Sequence, residues 1–233
     1  PSLAQTPTRA LHLPSEGAVD AAELTALLLA ASGARLCAGL AAQDLIDKAG
    51  QIVGARTAIG PILADHTILA TGTATPGLLA PLGLDLPMLT RPGQLIHTKP
   101  VPFQLNHILV TPDQEIRQDA QGRLLAPASA NHQADSAETI PHPEADIAAT
   151  LDRLRALFDC PEIALDRATI GLRPVPGDGL PLIGAVQPGL SMAVLHSGVT
   201  LAAVVAEALT AEVLGQGEQP LLADFRPARL LHP

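Results

Sequence analysis

Residues 171–201, GLRPVPGDGLPLIGAVQPGLSMAVLHSGVTL, are the segment of the chain that decides its fold and its site. One basic residue, Arg173, stands among Gly and Pro at the end of the strand-like run ALDRATIGL. The short apolar run MAVL then leads through His196-Ser197-Gly198 into an apolar helical pattern. Strand–turn–helix junctions present backbone N–H groups to polarised ligands, and an Arg on a stiff segment binds a carboxylate through two hydrogen bonds. The stretch therefore predicts a site for a cofactor and a small acid.

The composition indicates a chain with a large aliphatic core. Its 233 residues fit one large domain or two interleaved ones, and 47% are hydrophobic although Trp and Tyr are absent. The formal net charge of -9 argues against nucleic acid or an anionic membrane as a partner. The most apolar run, residues 24–31, is too short to span a membrane, and no segment resembles a signal peptide. We predict a cytoplasmic protein.

Residues that often form metal or catalytic clusters are scattered along this chain. Cys37 and Cys160 lack CxxC spacing, so we expect two buried thiols and no redox or metal role. Asp20 with Glu23 predicts a helix cap, and Asp178 in PGDG predicts a turn. The histidines outside the quoted stretch show no metal-ligand spacing, so no metal site is predicted. They are His12, His66, His97, His107, His132, His142 and His232.

The order of helix-like and strand-like segments predicts a mixed α/β fold. Helices are predicted over 21–32 (ending at Gly33), 77–82, 144–158 and 201–214 (ending at Gly215). Strands are predicted over 35–45, 51–57, 62–70, 93–98, 107–111, 115–117, 123–127, 166–172 and 190–195. The first three strands are expected to form a β-meander, and residues 128–142 are expected to form a polar loop.

Five segments, in this order and spacing, resemble one family. They are GAVDAAELTALLLAASGAR, ADHTILATGTATPGLLAPLGLDLP, GQLIHTKP, GLRPVPGDGLPLIG and HSGVTLA. The set resembles the FAD-dependent D-amino acid oxidase (DAO) family, which includes glycine oxidase and sarcosine oxidase. The resemblance runs from about residue 11 to residue 229 and thus covers nearly the whole chain.

The resemblance implies a partial, Rossmann-like FAD-binding module interleaved with a substrate domain built on an antiparallel sheet. Residues 1–90 and 167–233 would belong to the FAD module, and residues 91–166 to the substrate domain. Enzymes of this family oxidise a C–N bond by hydride transfer from the substrate α-carbon to the flavin. The imine then hydrolyses, and O₂ or another acceptor reoxidises the flavin. The implied substrate is a small amino acid or N-methyl amino acid.

The resemblance also assigns the site residues. Arg173 in GLRP would bind the substrate carboxylate, although a surface or salt-bridging role is its plain alternative. Gly72 would form the close turn near the phosphates, and Ala42 would contact the adenine through its backbone. The flavin loop would be His196, Ser197, Gly198, Val199, Thr200 and Leu201. Gly198 is equally well explained as a simple turn glycine. No catalytic acid or base is implied, because hydride abstraction from a neutral amine needs no strong base.

Two departures from the family pattern bear on cofactor binding. The chain contains no GxGxxG, the element that cradles the pyrophosphate. Pro92-Gly93 replaces the usual Arg-Gly, with Arg91 one place earlier. We therefore expect this chain alone to be inactive and not to retain FAD. Because the first residue is Pro1, we also expect a processed or truncated piece of a longer chain.

Two other interpretations stay open at the level of the sequence. The chain could be a non-catalytic fragment or subunit that completes an FAD site only with a separate partner chain. It could also be a binding module without redox function.

Overall fold

The computed structural model describes residues 3–128 and 138–232, and the chain divides into two compact units. The first unit comprises Pro1–Gly33 and Arg91–Leu172, and the second comprises Ala34–Thr90 and Arg173–Pro233. The resemblance assigns residues 1–90 to one module. Residues 1–33, however, group with the Arg91–Leu172 segment. The assignment of an FAD module and a substrate domain to particular residues stays a prediction.

Helices and strands form a mixed α/β arrangement, as the sequence predicts. The α-helices of the described residues are α1 Ala21–Ser32, α2 Thr75–Leu79, α3 Pro143–Phe158 and α4 Gly198–Val213. The strands are β1 Ala42–Lys48, β2 Gln51–Thr57, β3 Gly60–Leu63, β4 Thr67–Leu69, β5 Met88–Leu89, β6 Pro92–Pro100, β7 Leu109–Val110, β8 Glu115–Gln118, β9 Arg123–Pro127, β10 Leu165–Leu172, β11 Val175–Pro176, β12 Leu182–Gln187 and β13 Leu190–Val194. Short 3₁₀ turns follow at Gly72–Ala74, Ala80–Leu82, Pro220–Phe225 and Pro227–Arg229.

The first unit is built on an antiparallel sheet in the order β10-β6-β9-β8-β7. Alternate residues of β6, β8 and β9 meet one face of α3, whose apolar side is buried as its periodicity predicts. Ile96, Ile116, Leu124 and Leu154 are completely buried there. The greater part of the predicted loop 128–142 lies outside the described residues, as does His132.

Helix α1 forms as predicted, but its apolar residues are not covered. Asp20 Oδ1 accepts hydrogen bonds from the amides of Ala22 and Glu23 at 2.9 and 3.0 Å, and Gly33 ends the helix with a φ of +66°. No residue of the helix is buried in the structure described, and Leu27 is 62% exposed. An isolated helix of this length is marginal in water, and the apolar residues of α1 remain exposed in this structure.

The second unit contains the meander β1-β2-β3 and a separate sheet in the order β12-β13-β4. The prediction of a single third strand over 62–70 was wrong. The chain bends at Asp65, and β4 leaves the meander to pair in parallel with β13. The predicted strand over 35–45 was also too long, because Gly39 adopts a φ of +75° within a turn and β1 begins only at Ala42.

Three strands of the second unit were not predicted. Two of them, β5 and β11, are two-residue strands flanked by prolines and pair with each other. The third, β12, pairs antiparallel with β13 and contributes the completely buried Leu182 to a core that includes Ile52, Leu79 and Met192. Gly184 in the middle of β12 has a φ of +130°, and a β-carbon there would lie 2.7 Å from a guanidinium nitrogen of Arg226. The glycine that conceals the strand in the sequence is thus required by its positive φ.

Candidate functional site

Two strand–turn–helix junctions meet at one edge of the second unit. Strands β4 and β13 run in parallel, with Leu69 opposite Met192. β4 continues through Gly72 into α2, and β13 continues through His196 into α4. Because the carboxyl ends of parallel strands lie at the same edge of a sheet, the two turns are brought together. That edge is the location at which open α/β sheets bind their ligands.

The Gly72 turn has a backbone that favours glycine. Its φ is +55°, in the left-handed region. The turn is closed by a hydrogen bond from the Ala74 amide to the Thr71 carbonyl at 3.1 Å and by a hydrogen bond between the Thr71 and Thr75 hydroxyls at 2.9 Å. The chain is therefore held in one close turn directly after β4.

The start of α4 leaves backbone donors at this edge. The helix begins at Gly198, three residues before the predicted start, so part of the predicted flavin loop is the first helical turn. The Gly198 amide donates to the His196 carbonyl and the Leu201 amide to the Ser197 carbonyl. The amides of Val199 and Thr200 belong to the orphan donors that every helix start carries. The positive end of the dipole of this 16-residue helix favours negative charge beside them.

The His196 side chain at this edge has unsatisfied hydrogen-bonding atoms. Both of its ring nitrogens are buried, and neither has a hydrogen-bond partner among the described residues. Buried polar atoms without partners are rare in folded proteins and often mark the place of a bound group. The residues of this junction thus fit a polar ring system that offers hydrogen-bonding atoms to an imidazole and to backbone N–H groups.

Arg173 joins this edge through the residue that follows it. Arg173 is half-buried and comes directly after β10. Its neighbour Pro174 packs against the Gly72 turn, because a β-carbon at Gly72 would lie 3.7 Å from Pro174 Cβ. Pro174 therefore places the backbone that follows Arg173 beside the Gly72 turn, at the sheet edge that also carries the start of α4.

The loop after Arg173 is fixed by an ion pair that sequence reasoning missed. Asp178 accepts a hydrogen bond from the Leu180 amide at 3.0 Å, as expected for a turn residue. Its carboxylate also binds Arg229, with Nε–Oδ2 at 2.6 Å. Hydrogen bonds from the Arg229 guanidinium hold the pKa of Asp178 below its usual value. No local signal could reveal this pair, since 51 residues separate its members.

Two other predicted positions lie elsewhere. Ala42 opens β1 in the meander, opposite Thr57, and its contact with an adenine stays a prediction. Arg91 begins the second segment of the first unit and forms an ion pair with Glu138 at 3.7 Å. Its guanidinium is largely buried and engaged in the first unit.

The remaining titratable groups have structural surroundings. Cys160 is buried, and burial raises the pKa of its thiol. Cys37 is exposed, so the expectation of two buried thiols was wrong for this residue, which lies in the turn that precedes β1. Burial lowers the pKa of His97, and the charge of Arg167 lowers it further. Within residues 3–128 and 138–232, no three His, Cys, Asp or Glu side chains are grouped so as to hold a metal ion.

Comparison with known proteins gives the family of this chain. The family model described as FAD dependent oxidoreductase (DAO) matches residues 1–212. The chain belongs to the DAO family of FAD-dependent oxidoreductases. Among DAO-family relatives, a D-amino acid dehydrogenase of Methylobacterium sp. (strain 4-46) is 36% identical over 186 residues, covering 77% of this chain and 44% of that protein. The glycine oxidase of Pseudomonas aeruginosa is 29% identical over 184 residues, covering 76% of this chain and 50% of that protein.

Two solved structures share the fold of this chain. The glycine oxidase of Geobacillus kaustophilus superposes with a TM-score of 0.69 at 23% identity, covering 88% of this chain and 56% of that chain. An L-amino acid deaminase of Proteus vulgaris gives a TM-score of 0.71 at 24% identity, covering 85% and 51%. This chain therefore spans about half the length of the relatives that it matches. None of the helices in the described part of this DAO-family chain has the length and apolar character needed to cross a membrane.

Proposed function

We propose that this chain forms the substrate-anchoring and flavin-ring half of an enzyme that oxidises the C–N bond of a small amino acid or N-methyl amino acid. The observation that carries the proposal is the position of Pro174, the neighbour of Arg173, beside the Gly72 turn at the sheet edge that carries the start of α4. A half-buried Arg and a set of unsatisfied donors are the two features that such an enzyme needs for a carboxylate and a flavin.

The residues at the start of α4 are those we assign to the flavin ring. FAD, when bound, would supply the acceptor for a hydride from the substrate α-carbon. The amides of Val199 and Thr200 and the helix dipole favour negative charge at the edge of the ring. The unpartnered ring nitrogens of His196 would find their hydrogen-bond partner there. This arrangement supports a binding and electrostatic role for these residues, and none of them is needed as a strong base.

Arg173 is the residue we assign to the substrate. A guanidinium binds a carboxylate through two parallel hydrogen bonds, which fix the orientation of the α-carbon as well as its position. The substrate loses a hydride from that carbon and a proton from its nitrogen, and water hydrolyses the resulting imine. The names of the two relatives above support this class of substrate, because a D-amino acid or glycine carries a carboxylate beside the amine that is oxidised.

We further propose that FAD is held only when a complementary dinucleotide-binding segment is present. The sequence contains no GxGxxG, the usual pyrophosphate cradle. Each unit also presents apolar surface without cover. In the first unit, Leu27 of α1 is 62% exposed, and the edge strand β10 exposes Leu172. In the second unit, the edge strand β4 exposes Ile68. Exposed apolar edge strands are typical docking sites for further chain.

The second candidate function depends on whether the complementary dinucleotide-binding segment belongs to the same polypeptide or to another one. If it comes from a separate chain, this polypeptide is a subunit that completes the FAD site of a partner and is not catalytic alone. The same exposed faces support both versions.

Flavin absorbance of the purified chain tests the proposal directly. The chain alone is expected to be colourless after gel filtration with FAD. The chain joined to, or mixed with, a GxGxxG-containing dinucleotide-binding segment should elute with stoichiometric flavin, and a small amino acid should bleach that flavin under anaerobic conditions. A yellow chain without the segment would contradict the need for it. Bound flavin that no amino acid bleaches would instead favour a binding module without redox function.

A further inference from the structure

The loop between Arg173 and β12 is closed by the ion pair of Asp178 and Arg229. Arg229 presents two nitrogens to the carboxylate, with Nε–Oδ2 at 2.6 Å and Nη2–Oδ1 at 3.2 Å. Both side chains are partly shielded, at 29% and 26% exposure. This two-point geometry is the strong and directional form of an ion pair.

The guanidinium of Arg229 also binds backbone carbonyls, both next to the Asp178 loop and in the carboxyl-terminal segment. Arg229 donates to the carbonyl of Pro181 at 3.0 Å and to that of Leu180 at 3.4 Å, which directly follow the loop. It also donates to the Asp224 carbonyl at 2.6 Å, in the 3₁₀ turn Pro220–Phe225. Arg229 therefore fastens the loop to the carboxyl-terminal segment at several points.

The other end of the loop is fastened by backbone. The Gly177 amide donates to the Pro87 carbonyl at 2.8 Å, and a β-carbon at Gly177 would lie only 3.2 Å from Pro87. β11 pairs with β5 immediately after Pro174. Pro174 also packs against Gly72. The backbone from Arg173 to Asp178 is therefore held in one conformation, and the ion pair of Asp178 with Arg229 fixes its carboxyl-terminal end.

We propose that the Asp178–Arg229 pair is a positioning element for substrate recognition, because it holds the loop that orients Arg173 toward the carboxylate of the substrate. The inference rests on the proposed function of Arg173. In this proposal neither Asp178 nor Arg229 contacts the substrate, and both act by fixing the conformation of the loop. Loss of the pair lets the loop shift, which weakens carboxylate binding without altering the hydride-transfer step.

A second ion pair in the same unit provides a matched control. Arg226 binds Glu212 at two points, each at 2.8 Å, with side-chain exposures of 24% and 12%. It ties the end of α4 to the carboxyl-terminal segment and has no contact with the Asp178 loop among the described hydrogen bonds. A purely stabilising role of surface ion pairs predicts similar effects for both pairs.

The test compares D178N, R229Q and the double variant with E212Q in the flavin-loaded enzyme. We expect each Asp178 or Arg229 variant to raise the amino-acid KM about tenfold, which corresponds to ~1.4 kcal/mol of binding, with kcat unchanged. The double variant should be no worse than R229Q alone, because R229Q already removes the ion pair that D178N disrupts. R229K should recover part of the KM, since a point charge lacks the fork of Arg. E212Q should lower the melting temperature and leave KM as it is.

A second measurement does not depend on activity. Amide hydrogen exchange on the chain itself should show faster exchange of the Gly177 and Gly179 amides in D178N and R229Q than in E212Q. An unchanged KM in both variants, or unchanged exchange in this loop, overturns the inference. If no amino acid reduces the flavin of the wild-type enzyme, the proposed function fails and the inference falls with it. If wild type is reduced and the variants retain its KM, the inference alone is wrong.

Discussion

His66 Nε2 and Ser191 Oγ share a hydrogen bond of 2.9 Å across 125 residues of sequence. Ser191 lies in β13 and is 3% exposed, and His66 directly precedes β4. The bond therefore fastens the start of the parallel pair whose other end carries the Gly72 turn and α4. The site edge depends on this pairing, because without it the two turns would not meet.

Removal of this hydrogen bond should weaken the second unit. S191A leaves a half-buried imidazole without its partner, and we expect the free energy of unfolding to fall by about 1 kcal/mol. Urea denaturation at neutral pH measures the effect. T73A, in the exposed turn beyond β4, is the control and should stay within ~0.5 kcal/mol of wild type. Equal stability of S191A and wild type would show that the bond contributes nothing.

The left-handed backbone at Gly72 predicts a position-specific cost. G72A must place a β-carbon at a φ of +55°, which we expect to cost about 1 kcal/mol of stability and to weaken flavin retention. Gly77, in α2 with open space around it, is the matched control. G77A should be neutral or stabilising, since Ala is the better helix former. Thermal denaturation of both variants checks the pair, and equal melting temperatures would contradict this account of the turn.

Charged substitutions on the exposed face of α1 should impair assembly with the complementary segment and leave folding intact. Leu27 and Leu28 are 62% and 58% exposed, so L27E/L28E should leave the melting temperature of the chain unchanged. If α1 is the docking surface, the same variant should fail to recruit the complementary segment and its flavin. V110E, at a site that is 77% exposed on β7, is the control and should bind the segment normally. Normal flavin loading of L27E/L28E would remove α1 from the docking surface.

The ion-paired carboxylates of Asp178 and Glu212 should make the second unit less stable in acid. Hydrogen bonds from Arg229 and Arg226 hold the pKa values of Asp178 and Glu212 below their usual ranges. Their stabilisation is complete above the unfolded-state pKa of about 4 and is lost as the pH falls through the lower folded-state values. D178N and E212Q should flatten the corresponding part of the stability curve between about pH 5 and pH 2. Wild-type steepness in both variants would show that other groups cause the acid loss.

The sequence predicted those elements whose signals are local. The Asp20 cap and Gly33 stop bound α1 at the expected residues, and the strand predicted over Gln51–Thr57 is β2 with the same ends. β12 was missed because Gly184 interrupts its apolar run, and the φ of +130° at that position favours glycine. The pattern over 62–70 is equally suited to one strand or two, and only pairing with β13 decides between them.

The residues of the candidate site were predictable from the sequence, but their arrangement in space was not. Arg173 and the start of α4 carry family-like motifs, but their convergence with Gly72 arises from parallel pairing and from the packing of Pro174. Long-range side-chain pairs such as His66–Ser191 and Asp178–Arg229 leave no trace in local sequence. The exposure of Cys37 was likewise invisible, because apolar neighbours in sequence do not ensure burial.

The steady-state KM of R173A tests the central claim most directly. It is measured for the amino-acid substrate in the flavin-loaded enzyme, together with the flavin absorbance of the variant. If Arg173 anchors the substrate carboxylate, KM should rise about a hundredfold while flavin content and spectrum stay those of wild type. R173K should show a smaller rise, because it keeps the charge and loses the two-point geometry. An unchanged KM in R173A would contradict the account.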